Sequence, residues 1–225
     1  TVPLFDEAGH VAQLYARKIR DDLRAGTPKH LYLPGPHRGV FNREVLAATF
    51  DVLVANAQAQ PQAVVHRDYH ARNLLIVADT PAIEVGVVDY QDAVIGPITY
   101  DLVSLLRDCY VRWPPALVRR RALGFAAQLR ATGQLVVADT EFLTWFDLMG
   151  LQRHLKVLGI FARLWLRDGK SRYLDDLPLV LRYTLEAAQA HPATRPLHDW
   201  LVARVVPDRP APPGYRPWQS AGERP

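Results

Sequence analysis

In His66-Arg67-Asp68-Tyr69-His70-Ala71-Arg72-Asn73 an acid and an amide stand five residues apart in the pattern H-x-D-x-x-x-x-N. Sixteen residues after Asn73, the apolar run Glu84-Val85-Gly86-Val87-Val88 delivers a second acid, Asp89, at its end. This pairing constrains the chain more than any other feature. The polar groups can share a site only if both loops are held side by side, and the apolar runs around them supply the means. Val64-Val65, Leu74-Leu75-Ile76-Val77 and Val85 to Val88 read as short buried strands, too short and too β-branched for helices. Strands of this kind hold intervening polar side chains rigid, as a preorganised site requires.

The residue types fit phosphoryl transfer. An attacking hydroxyl must be oriented and must lose its proton, while the charge of the phosphates must be neutralised, and one carboxylate cannot do both. The spacing assigns the first task to Asp68 and the second to Asn73 and Asp89 as hard oxygen ligands of Mg²⁺ ions on a nucleotide. The bland alternative is that Asp and Asn in such loops are turn residues bonded to neighbouring backbone. The joint pattern in its strand context weighs against it.

HRDYHARNLLI followed by VGVVDYQDAVIGPITYDLVSLLRD resembles the aminoglycoside phosphotransferase and choline kinase superfamily, small-molecule relatives of the protein kinases. The D-Y-Q-D at Asp89, where protein kinases carry D-F-G, favours the small-molecule branch. Residues 63 to about 186, including WFDLMGLQRHLKVLGIFARLWLRDGK, resemble bacterial anomeric sugar kinases of cell-wall recycling, which act on N-acetylmuramate and N-acetylglucosamine. The resemblance implies ATP, Mg²⁺, a sugar with a free anomeric hydroxyl and a 1-phosphate product. It assigns the catalytic base to Asp68 and metal and nucleotide contacts to Asn73 and Asp89, with His66 and Arg67 shaping the loop. Asp101 matches a position that braces the catalytic loop. An ordinary helix N-cap is the plainer reading of Asp101, and the two roles can coexist.

The fold class that follows is α+β and protein-kinase-like, mainly the helical C-terminal lobe, with the N-terminal lobe absent or incomplete. Only about sixty-five residues precede His66, without a G-x-G-x-x-G loop, and Lys18 and Lys29 are their only lysines. Lys18, flanked by Asp21 and Asp22, reads as part of a charged helix face over residues 14–20 more readily than as a strand-borne partner of nucleotide. The expected organisation is an atypical N-terminal segment over 1–42, a kinase-like lobe over 43–206 and a Pro-rich tail over 207–225, extended and anchored at Trp218.

Outside the motif block the periodicity is helical. Residues 44–59 bury Leu46, Phe50, Leu53, Val54 and Ala57. Residues 99–113, with Leu102, Leu105, Leu106 and Cys109 inward, end at Pro114-Pro115. Residues 116–132 are closed by Gly133. Residues 141–167 place Phe142, Trp145, Phe146, Met149, Val157, Ile160, Phe161 and Leu164 on one face, with a break near Gly150 or Gly159 as an open alternative. Helices over 176–190 and 195–206 close the chain. Among polar residues, Gln91 and Asp92 beside Asp89, and Arg153 and His154 on the long helix, are candidates for substrate contact, weighed against ordinary surface or core roles.

At 225 residues, 49% hydrophobic and 22% charged, the chain has enough apolar residues for a sizeable core. The single Cys109 excludes an intrachain disulfide and reads as a small core hydrophobe. The net charge of +4 comes from dispersed Arg, which suits anionic substrates rather than nucleic acid. Arg119-Arg120-Arg121 reads as a solvated helix face. Without an apolar run long enough to span a bilayer or a secretory signal at Thr1 to Asp6, no membrane association and a cytoplasmic location are expected. The remaining expectations are a monomer whose partners are a sugar and ATP. Three functional readings stand: an amino-sugar kinase, an aminoglycoside or choline-type kinase, and a catalytically silent kinase-like binding module.

Overall fold

Asn42 starts the first helix: its Oδ1 accepts the Val45 N–H at 3.0 Å and its carbonyl accepts the Leu46 N–H at 3.1 Å, the N-cap arrangement that satisfies otherwise orphan donors. The computed structural model describes residues 2–6, 11–17, 30–32, 39, 40, 42–78, 83–204 and 218–222. Lys18, Lys29 and the Pro-rich residues 207–217 lie outside the described residues. The chain divides into two compact units, one of residues 55–150 and the other of residues 1–54 together with 151–225.

In the unit built from both ends, four strands form an antiparallel sheet of order β3-β2-β1-β4: β1 (Val2–Asp6), β2 (Val11–Arg17), β3 (His30–Tyr32) and β4 (Gly39–Val40). Val2 pairs with Tyr15, Phe5 with Val40 and Tyr15 with Tyr32. The expected helical face over 14–20 is thus corrected for residues 14–17, which are strand. Strand β2 has ladder partners on both sides, β1 and β3, a tertiary gain that local charge patterning does not register.

The same unit contains the first part of α1 (Arg43–Ala59), the second part of α4 (Asp139–Asp168), and α5 (Leu177–Ala190) and α6 (Arg195–Arg204). Leu46, Leu53, Leu151, Leu155, Val180, Leu185 and Leu197 are buried. Residues 171–176 form a 3-10 turn before α5, so the helix expected from 176 begins as a tighter coil. Beyond the Pro-rich segment, Ala221 packs with Leu179 and Tyr183 and its carbonyl accepts the Arg182 Nη1–H at 3.1 Å.

In the other unit, β5 (Gln62–Val65) pairs antiparallel with β8 (Val94–Pro97), and β6 (Leu74–Ala78) with β7 (Glu84–Val87). The strands expected from sequence are present, and β8 is an addition. Their expected burial is corrected: Val65 is buried, but Val64 is 75% exposed and Leu75, Ile76, Val77, Val85, Val87 and Val88 are exposed. Each ladder has only two strands, so neither forms the interior of a sheet, and apolar composition alone does not distinguish these cases.

Helices α2 (Tyr100–Leu106) and α3 (Pro115–Ala131) complete this unit with the first part of α4. Val103, Leu106, Val118, Ala122, Ala126, Phe142, Trp145, Phe146 and Met149 form one core cluster. The helix expected over 99–113 ends at Leu106, where Arg107 leaves helical geometry at φ −128° and ψ 51°. Pro115 stands at the start of α3 rather than serving as the stop, because its fixed φ suits a first turn. Within α2, Val103, Ser104 and Leu106 are buried while Leu102 and Leu105 are half-buried. Gly133 has φ 73°. Its N–H bonds to Arg130 O at 3.0 Å and that of Gln134 to Leu129 O at 2.8 Å, a Schellman closure that needs a left-handed residue. Helix α4 runs unbroken through Gly150 and Gly159. No described helix is long and apolar enough to cross a membrane.

Candidate active site

Strand β5 ends at Val65 and hands the chain to His66 and Arg67, whose backbone N–H groups both point to one side chain. The Asp101 carboxylate accepts the His66 N–H at 2.6 Å and the Arg67 N–H at 3.0 Å. Arg67 adopts φ 78°, a left-handed conformation that costs energy for a residue with a side chain and persists where surrounding contacts impose it. The N-cap reading of Asp101 is corrected. Thr99 occupies the cap position of α2, held by its hydroxyl donating to Gln60 Oε1 at 2.6 Å.

A second set of bonds joins the two loops. His66, buried, donates from Nε2 to the Val88 carbonyl at 2.9 Å, and the carbonyl acceptor requires the proton on that nitrogen. The Asn73 carbonyl accepts the Val88 N–H at 3.1 Å. Asn73 Nδ2 donates to the Asp68 carbonyl at 2.9 Å. Its nitrogen being so engaged, Oδ1 is the amide atom left for a cation or donor. Asp89 follows with φ 67°, and its Oδ1 accepts the Gln91 amide at 2.7 Å. The Asp92 carbonyl accepts Arg67 Nη1–H at 3.3 Å.

Asp68, Asn73, Asp89, Gln91 and Asp92 therefore belong to one hydrogen-bonded arrangement spanning the two loops. Asp68 and Asp89 are exposed, so their carboxylates retain water access. The oxygen donors are one amide and separate carboxylates. Among the described residues no group of three or more His, Cys, Asp or Glu is gathered closely enough to hold a metal ion unaided.

Arg153 and His154 are placed in the other compact unit. Both are buried, His154 to 1% exposure, and the His154 ring stacks on Tyr183 with centroids 4.9 Å apart and planes 9° apart.

Sequence reasoning missed a cluster beside the loop of residues 66–73. Tyr110 lies beneath Arg72, whose Cζ is 3.4 Å from the ring centroid, and it meets His70 edge-on at 5.9 Å. Burial, then the adjacent Cys109, push the Tyr110 phenol well above its ordinary value, outweighing the pull of Arg72. A cavity of about 750 Å³ opens beside Ala71, walled by Leu102, Leu105 and Trp113 and by Arg120 and Arg121 of α3. Its one legible signal was the exposed Arg119-Arg120-Arg121 run, which sequence alone reads as ordinary solvated surface.

The model of the APH phosphotransferase enzyme family matches residues 6–135. The chain is 43% identical over 164 residues to an N-acetylmuramate/N-acetylglucosamine kinase of Neisseria meningitidis serogroup B, covering 72% of this chain and 48% of that protein. A protein of the same name from Pseudomonas putida is 47% identical over 155 residues, 68% of this chain and 44% of that protein. One from Caulobacter vibrioides is 38% identical over 154 residues, 68% of this chain and 40% of that protein. The chain thus spans less than half the length of each of these relatives. With more than half of its residues matched by the family model, it belongs to the APH phosphotransferase enzyme family.

Proposed function

We propose that the protein transfers the γ-phosphoryl group of ATP to a small-molecule hydroxyl, the anomeric hydroxyl of N-acetylmuramate or N-acetylglucosamine. The observation that carries this reading is the joining of the Asp68 to Asn73 loop to the Val88-Asp89 segment by the His66 to Val88 and Val88 to Asn73 bonds. The names of the relatives support the choice of acceptor. The burial of His154 against Tyr183 favours a packing role there, so acceptor contacts near the metal position fall to Gln91 and Asp92.

In this reading Asp68 orients the sugar hydroxyl and takes its proton as the oxygen attacks γ-phosphorus and the bond to the bridging oxygen of ADP breaks. Asn73 and Asp89 would hold Mg²⁺. Their oxygens suit that hard ion, which keeps several waters and phosphate ligands and so needs no all-protein cage. Bound there, the ion would neutralise phosphate charge. Asp101 fixes the backbone on which Asp68 stands, and Gln91 restrains the Asp89 carboxylate.

The test is ³¹P NMR of the purified chain with Mg-ATP and each sugar. A new sugar 1-phosphate resonance is expected, with turnover lowered by about 10²- to 10⁴-fold in Asp68→Asn. Folded chain that binds sugar or nucleotide by calorimetry yet forms no phosphorylated product would overturn the proposal in favour of a silent binding module. Phosphorylation of an aminoglycoside or choline in preference to either sugar would replace the acceptor.

A further inference from the structure

The roughly 750 Å³ cavity beside Ala71 has the size of a small-molecule site, and its walls are chemically uneven. Leu105 and Trp113 supply apolar and aromatic surface, while α3 contributes two guanidinium groups, Arg120 and Arg121. Asp108 also lines it and is only 3% exposed. Its Oδ1 accepts a weak hydrogen bond from the Cys109 thiol at 3.5 Å. A carboxylate in a cavity wall can accept a hydrogen bond from whatever fills the space.

A ligand suited to this wall has an apolar face for Trp113, hydroxyl or amide N–H groups for Asp108, and a carboxylate for the guanidinium pair. Ala71 belongs to the catalytic loop, three residues beyond Asp68, so the cavity adjoins the segment that would receive the hydroxyl. A neutral sugar would use the first two features and leave the cations to solvent.

We infer that this cavity takes the part of the acceptor remote from its reacting hydroxyl and that Arg120 and Arg121 bias it toward an acceptor bearing a carboxylate there. The inference rests on the phosphotransfer reading above and goes beyond it by assigning the specificity-determining residues.

Gly124 provides a way to close the cavity without disturbing the fold. It lines the space, and a Cβ built there meets nothing within 4 Å, so Gly124→Phe projects into open volume. The acceptor KM is expected to rise about tenfold or more in this variant, the contribution of a filled apolar site, with the KM for ATP unmoved. Arg120 and Arg121 are exposed, so Arg120→Ala/Arg121→Ala removes charge without removing core. The ratio of kcat/KM for N-acetylmuramate over N-acetylglucosamine is expected to fall about tenfold or more, and further in Arg120→Glu/Arg121→Glu.

Unchanged acceptor KM in Gly124→Phe, or an unchanged ratio in both double variants, overturns the inference while leaving phosphotransfer intact. If the chain turns over neither sugar, the phosphotransfer reading fails, and calorimetric titration with N-acetylmuramate decides the pocket by itself. Binding that Gly124→Phe abolishes and Arg120→Ala/Arg121→Ala weakens supports it. Absence of binding to the unsubstituted chain, or binding insensitive to these changes, overturns it.

Discussion

The carboxylate of Asp101 accepts the backbone N–H of Arg67 at 3.0 Å across a sequence separation of 34 residues, and Arg67 is one of two described non-glycine residues with positive φ. The bond and the strain belong together. An acceptor fixed in the first turn of α2, also holding the His66 N–H, keeps the loop in a conformation it would otherwise leave. On the proposed function, this makes Asp101 a positioning residue for Asp68.

Asp101→Ala is expected to lose roughly 1.5–3 kcal/mol of stability, the worth of hydrogen bonds to a charged group. It is also expected to lower kcat by about 100-fold through misplacement of Asp68. Asp101→Asn, with one carbonyl oxygen for two donors, should fall between. A purely structural role would shift the melting temperature and leave kcat per folded molecule unchanged, so paired melts and steady-state kinetics separate the two.

Asp89 combines the ligand role proposed for it with φ 67°, and two substitutions separate these. Asn tolerates the left-handed region nearly as well as Asp, so Asp89→Asn is expected to melt close to the unsubstituted protein while losing phosphotransfer. Asp89→Ala should lose the same activity and about 1 kcal/mol more stability. Equal denaturation midpoints for the two variants would show that the backbone angle carries no cost here.

Phe142 is fully buried in the unit of residues 55–150, with Phe125 at 6.4 Å between ring centroids. Phe142→Ala is expected to cost roughly 3–5 kcal/mol, the range for truncating a buried aromatic. Urea denaturation measures it, and a loss below about 1 kcal/mol would mean that the cluster collapses to fill the void.

Tyr110 gives a pH dependence with a definite sign. Its phenol is raised by burial, then by Cys109, so the folded chain holds the proton more tightly than the unfolded chain. The resulting stability is intact below the ordinary tyrosine value of about 10 and is lost as pH rises above it. Urea midpoints taken through this alkaline range should decline, and Tyr110→Phe should remove part of that slope. An identical slope in the variant would contradict the assignment.

The spacing of Asp68, Asn73 and Asp89 pointed to the phosphoryl transfer proposed above, and the three- and four-residue periods located α1, α3, α4 and α5. These are local properties: a loop motif carries its own geometry, and a helix buries one face whatever it packs against. The exposure of Val64 and Ile76 was not legible, because apolar composition reports suitability for a strand and not how many neighbours cover it. The strand at 11–17 was hidden for the same reason, its ladder partners lying at 2–6 and 30–32.

The sequence by itself determined which side chains are candidates for the proposed phosphotransfer and which stretches are helical, since both follow from spacing along the chain. Only the tertiary structure decided that His66 ties to Val88 and that Asp108, Arg120 and Arg121 share one cavity wall, and it supplied the bonds by which Asp101 reaches back to His66 and Arg67. Those relations depend on how far the intervening chain turns, and that is set by packing of the whole unit rather than by any local preference.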